Sequence, residues 1–376
     1  MKQTFFNHLK NLPGWHTNKK IIIFSVDDYG NVRIDSSSAR KNLNNKGLKT
    51  STRFDKLDTL ENRQDLEALN ETLASVRDKN GNPAVFTAFS VPVNINFERM
   101  REENFRTYHY ELLPETYEKL SQIDPEAYNG AWNLWKEGIQ RQLIHPEFHG
   151  REHFNLKVFN EKLTNRNKEL ILSLQNRSLT SISNSGYPTI SYTAAFDFDK
   201  FQENEAFREV ILDGLNQFEK VFGIRARHFN PPGGRGHPII HSYLRNGGIE
   251  YLDTPMFKKE HMGQGKYKSV FNYTGKKNKQ NQIFMVRNCV FEPTHNRGVD
   301  WVNYTFKQIE AAFCLKKPAI ISSHRVNFCG HIDPENRKKG LAALKTLLHK
   351  IIKTHPDVEF MTSTELGDLI RSNKKI

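Results

Sequence analysis

Short apolar runs recur along the chain, each closed by a polar or glycine-bearing stretch. The first, IIIFSV (Ile21 to Val26), is β-branched and has no polar break, so it reads as a buried strand that ends in DDYG with a turn at Gly30. SSSARKNLNNKG (Ser36 to Gly47) reads as a capped helix stopped by glycine. From Thr59 to Lys79, Leu60, Leu66, Leu69, Leu73 and Val76 keep a helical period until NGNP ends it, and AVFTAFSV (Ala84 to Val91) is a second buried strand. The strand, helix, strand order continues. Further strands are predicted in SLTSISNS, ARHFNPP, IEYLDT, NQIFMVRN, PAIISSH and VEFMTS, and helices at Glu203 to Phe222 and Asn336 to Thr354. Residues 94 to 140 are less regular, with Trp132 and Trp135 in a helix that feeds RQLIHPEF. Strands alternating with helices over this length predict an α/β fold, and suit a (β/α) barrel better than an open sheet. With no repeat and no flexible linker, the expected organisation is an N-terminal extension over 1–20 and one domain over 21–376.

Composition narrows the partners. The chain has 376 residues, with 55 Lys plus Arg against 42 Asp plus Glu, a formal charge of +13 that attracts nucleic acid, anionic surfaces or acidic glycans. The densest basic groups, KKNK (Lys276 to Lys279), RKK (Arg337 to Lys339) and Lys374 with Lys375, are dispersed and not interleaved with aromatics, so no nucleic-acid partner is expected. Cys289, Cys314 and Cys329 have no CxxC spacing and an odd count, which argues for a reducing compartment. The N-terminus lacks an uninterrupted signal core, and no stretch approaches the roughly 20 apolar residues of a membrane span. A cytoplasmic location follows as the expectation.

Four motifs carry chemistry. Asp27 and Asp28 stand together at a strand end, where neighbouring carboxylates need a cation or a proton to compensate them. HPEFHGREHFNL offers His145, His149 and His153 at four-residue intervals, so either neighbouring pair on a helix or turn can present two imidazoles to one ion. His149 with His153 is the preferred pair, because Gly150 permits a tight turn after the first ligand. Two imidazoles and one carboxylate form a catalytic zinc set with an open position, leaving one aspartate to bind metal and the other to act as base. HFNPPGGRG (His228 to Gly236) suits a pocket wall, with prolines fixing the backbone and glycines allowing close approach. PAIISSHRVNF ends a late strand with His324, which would face the same mouth as the aspartates in a closed sheet and could protonate a leaving group.

Taken in order, these motifs resemble the polysaccharide deacetylase family, also called the NodB homology domain, over nearly the whole chain from Ile21. The resemblance implies a distorted (β/α) barrel of about seven parallel strands. It assigns Asp27 as general base, Asp28 with His149 and His153 as ligands of a divalent ion, most simply Zn2+, and His324 as the second catalytic residue. Asn230, Pro231, Pro232, Gly233 and Arg325 are the expected substrate contacts. The implied function is a metal-dependent hydrolase that removes an N-acetyl or similar acyl group from a carbohydrate. The alternatives are a carbohydrate-binding relative with impaired catalysis and a two-carboxylate glycoside hydrolase. The chain also departs from the pattern. Asn230 stands where the family's arginine steadies the base, leaving Arg227, Arg235 or Arg325 as substitutes. The DxxDW motif has no counterpart, since Asp300 and Trp301 open a helix, and residues 94–140 exceed the usual spacing, as a substrate-covering insertion would.

Overall fold

The computed structural model describes residues 2–372; Lys374 and Lys375 of the terminal basic pair lie outside them. In chain order the strands are β1 (Lys20–Tyr29), β2 (Phe86–Ser90), β3 (Val93–Ile95), β4 (Tyr110–Leu112), β5 (Ile144–Phe148), β6 (His228–Phe229), β7 (Tyr251–Asp253), β8 (Phe257–His261), β9 (Tyr267–Phe271), β10 (Ile283–Met285), β11 (Cys289–Val290), β12 (Ala319–His324) and β13 (Val358–Phe360). Eight of them form one parallel sheet in the order β10-β7-β6-β5-β2-β1-β12-β11, and β13 adds to β1. The sheet therefore has one strand more than the expected seven, without counting β13. Its two edge strands, β10 and β11, are consecutive in sequence with only residues 286–288 between them. Four Cα steps reach at most about 14 Å, so the edges must curl toward each other. The result is a distorted, incompletely closed (β/α) barrel.

The alternation along β1 explains its unbroken apolar run. Ile22, Phe24 and Val26 belong to the large core between sheet and helices, whereas Ile21 and Ile23 join Tyr251, Ile283, Met285 and Ile320 inside the barrel. A strand buried on both faces has no polar side to show. Leu366 and Ile370 of the helix Ser363–Ser372 pack onto this inner cluster. The start of the same helix reaches a polar layer above it: the Ser363 amide donates to Thr87 Oγ1 (2.9 Å), Thr364 Oγ1 donates to Glu147 (2.6 Å), and Ser363 Oγ bonds His228 Nδ1 (2.6 Å). Asp27 and His324, paired in the β1–β12 register, form the next layer at the strands' C-terminal mouth.

Other elements differ from expectation in instructive ways. SLTSISNS forms no strand; Ser173 and Ser178 side chains satisfy the backbone there (Ser173 Oγ to Ser178 O, 2.6 Å) instead of a ladder. ARHFNPP contributes only His228–Phe229, because its prolines lack ladder donors. The helix expected from Thr59 begins at Arg63, where Asn62 and Asp65 make a reciprocal capping box, and ends at Ala74. Trp301 opens a helix capped by Asp300, as anticipated.

Candidate metal centre

Asp27 continues the inward series of Ile21, Ile23 and Ser25, so a regular strand would turn Asp28 outward. The β1–β2 register shifts between Val26 and Tyr29, and Asp28 adopts φ 77°, a left-handed conformation rare for a residue with a side chain. This bulge brings both carboxylates into one cavity of about 640 Å³, which His149, His153, Asn230 and His324 also line.

Asp28 Oδ1 lies 2.9 Å from His153 Nε2 and 3.4 Å from His149 Nε2. All three side chains are buried, and one ligand atom from each lies within 4.8 Å of the others. The two histidines sit on the loop after β5, which the His149 amide anchors by donating to Ser90 O (3.0 Å). His149 Nδ1 is 2.8 Å from the Asn230 carbonyl, which can only accept, so Nδ1 carries the proton and Nε2 presents a lone pair to the centre. Gly150 between them has φ +93°, and a Cβ there would meet Glu152 O at 3.1 Å and Pro232 Cγ at 3.2 Å. Burial pushes the His153 imidazole below its usual range, with Asp28 partly opposing, and so favours the neutral, ligating form. For Asp28, burial disfavours charge, but a protonated His153 and hydrogen bonds donated by the two imidazoles outweigh it and hold the carboxyl well below the usual range when those rings carry the protons in place of an ion. One carboxylate and two imidazoles in this arrangement fit a divalent ion.

Asp27 is held differently. Arg287 places two guanidinium nitrogens on its two oxygens, each at 2.7 Å, and Asn230 Nδ2 donates to Oδ1 at 2.9 Å. Arg287 comes from the three-residue seam between β10 and β11, and it is held in turn by Asp253 (Nε to Oδ2, 2.8 Å). None of the arginines considered from sequence takes this place. Arg227 pairs with Glu250 and Asp368, and Arg235 with Asp197. Arg325 is fully buried against Asp58 (3.0 Å) and Glu61 (2.9 Å), so its expected substrate contact is corrected to a structural ion pair.

His324 Nε2 lies 3.9 Å from Asp27 Oδ2, and its Nδ1 is 2.6 Å from Glu292 Oε1. Burial works against its charge, but Glu292 dominates and raises the imidazole to about 9. Glu292, despite burial, is held down at about 2 by His324 and by Arg53 (2.6 Å). His324 is thus an imidazolium facing the cavity near neutral pH.

Asn230, Pro231 and Gly233 line the cavity, while Pro232 lies behind it against Gly150. His145 is turned away on β5 and bonds Glu147 (3.2 Å) and Thr364 (3.3 Å). The segment containing all three histidines is a strand followed by a loop, not a helix, so equal spacing does not place them on one face. No residue from 94–140 lines the cavity. Instead this segment forms the antiparallel β3–β4 pair and helices, and buried Trp135 packs edge-on against Tyr29 (5.7 Å) while donating to Glu61 (2.9 Å). The expected substrate cover is therefore an outer packing layer. Arg287, Glu292 and Asp253 were missed from sequence. The available signal was Arg287 interrupting two short apolar runs in IFMVRNCVF, with Glu292 directly after the second.

No family model matches the chain, and no curated protein matches it. Solved structures similar to it include a putative polysaccharide deacetylase from Mycobacterium smegmatis, with 11% identity, 97% of this chain and 94% of that one covered, and a TM-score of 0.45. The Puue allantoinase has 12% identity, 97% and 95% coverage, and a TM-score of 0.46. A 4-alpha-glucanotransferase from Thermococcus litoralis has 12% identity and a TM-score of 0.44, and 92% of this chain covers only 40% of that one. The barrel assignment rests on the strand order itself, and the chemistry on the side chains at its mouth.

Proposed function

We propose that the chain is a metal-dependent hydrolase that removes an N-acetyl or similar acyl group from a carbohydrate. The observation that carries this reading is the convergence, in one cavity, of the Asp28, His149 and His153 donors with Asp27 on Arg287 and His324 on Glu292. A divalent ion held by Asp28, His149 and His153 would polarise a carbonyl and acidify a water molecule. Asp27 accepts the proton of the attacking water, and Arg287 with Asn230 keeps its oxygens aimed at the cavity. His324, charged through Glu292, gives a proton to the departing amine so that it leaves neutral. Asn230, Pro231 and Gly233 form the wall on which the sugar lies.

The reading of an impaired binding relative rested on Asn230 replacing an arginine; Arg287 on Asp27 removes that support. A two-carboxylate glycosidase is less well supported, because Asp28 is engaged by imidazoles and Asp27 by a guanidinium. The test is acetate release from N-acetylated oligosaccharides by the zinc-loaded protein, by a chelated sample and after zinc is restored. Activity that survives chelation, or cleavage of glycosidic bonds without acetate release, overturns the proposal.

A further inference from the structure

Three exposed lysines, Lys259, Lys266 and Lys268, stand on one exposed hairpin, while Lys258 turns its Nζ inward to Gly236 O (2.7 Å). Residues 257–279 contain seven lysines and a single acid, Glu260. They build the β8–β9 hairpin and the turn after it. In the hairpin register Phe257 opposes Phe271, with ring centroids 5.4 Å apart, yet the two side chains are 77% and 43% exposed. Met262 and Tyr267 at the far end are exposed as well.

A second apolar element lies beside the hairpin's root. At the end of the N-terminal helix Lys2–Leu9 and just after it, Asn7 and Asn11 are buried, with Asn288 Nδ2 donating to Asn11 Oδ1 (2.7 Å), while Leu9 and Leu12 are 47% and 62% exposed. Trp15 N donates to Thr274 O (2.8 Å), and Pro13 and Trp15 share a cleft with Met256 and Tyr273. Leu12 and Phe257 are each next in sequence to a residue of that cleft. Among the described residues no helix is long and apolar enough to cross a membrane.

We propose that the β8–β9 hairpin, together with Leu9 and Leu12, docks the protein onto an anionic lipid bilayer surface. Exposed apolar side chains on the same hairpin as the exposed Lys259, Lys266 and Lys268 match both parts of such a surface: rings and leucines enter the acyl boundary while ammonium groups meet anionic headgroups. A protein interface fits less well, since lysine is depleted from interface cores. Single-stranded nucleic acid also fits less well, because Phe257 and Phe271 face one another and Leu9 and Leu12 cannot stack on bases. Thr254, Pro255 and Lys258 at the hairpin's root are also cavity wall, so docking sets the cavity mouth close to the bilayer. This proposal does not depend on the hydrolase reading.

The test is sedimentation of the full chain with phosphatidylcholine vesicles, with and without about 30% phosphatidylglycerol. Binding to the anionic vesicles alone is expected, abolished at about 0.5 M salt and weakened about tenfold in Phe257→Ser/Phe271→Ser. Lys266→Glu/Lys268→Glu, which leaves the apolar pair intact, should weaken it similarly, with circular dichroism reporting retained fold in both. Equal binding to neutral vesicles, unchanged binding by both variants, or capture of a single-stranded oligonucleotide or self-association in place of vesicle binding overturns the proposal.

Discussion

Arg287 grips Asp27 through two 2.7 Å bonds, from 260 positions further along the chain. Both are largely buried, and Arg287 is simultaneously committed to Asp253 at 2.6 Å. One guanidinium therefore compensates two carboxylates. Arg287→Met should lower stability by about 3–5 kcal/mol, measured by urea unfolding, because it leaves both buried acids without the guanidinium that pairs them. Arg287→Lys should stay folded but lose the planar fork, reducing kcat with little change in KM. A lysine variant with unchanged kcat would remove Arg287 from the positioning of the base.

Metal binding and proton transfer should separate by mutation. Asp27→Asn should retain about one equivalent of zinc while kcat falls about 10²–10⁴-fold. His149→Ala and His153→Ala should lose the ion, checked by elemental analysis after gel filtration. His145→Ala should keep it.

Zinc should also stabilise the fold, by about 2.7 kcal/mol at a free concentration 100 times its Kd. Thermal unfolding with added zinc should rise for the wild type and for Asp27→Asn, but not for the His149→Ala or His153→Ala variants.

Glu292 should set the alkaline limit of activity. In the proposed reaction His324 acts protonated, so with its pKa raised to about 9 the fall in kcat/KM should centre near pH 9. Glu292→Gln removes the main charge facing it, leaving Asp27 and Asp28 as the nearest acids, and should move that fall toward about 6.5. For stability the sign is the same: the folded pKa exceeds the unfolded one, so the contribution is complete below about 6.5 and lost as pH rises through 9. Comparing denaturant midpoints of wild type and His324→Gln from acid to alkaline pH reads this directly.

Gly150→Ala should disturb the two imidazoles together. A side chain at φ +93°, pressed against Glu152 O and Pro232, costs about 1–3 kcal/mol. Loss of zinc affinity with little loss of secondary structure is the expected readout.

The residues that could be read early share a local signature. Asp27, Asp28 and His324 directly follow apolar strands, and His149 and His153 flank a glycine in a polar loop. The misplacements have equally local causes. His145, His149 and His153 are equally spaced, and only the end of β5 at Phe148 separates a barrel-facing histidine from the two of the candidate centre. Arg325 adjoins His324 but begins a 3-10 turn, which carries its guanidinium to Asp58 and Glu61. Lys259 and Lys268 are nine positions apart, and only the hairpin pairing brings them onto one element with Phe257 and Phe271.

The sequence by itself determined the alternating strands and helices and the donors of the candidate metal centre, since burial and ligand chemistry are properties of short segments. It could not determine which arginine steadies Asp27, which acid charges His324, or how two adjacent aspartates come to face one cavity. Those depend on the closing of the sheet, which brings residues 286–288 across its seam, and on the bulge at Asp28. Both are relations between distant strands, and a linear pattern carries no record of them.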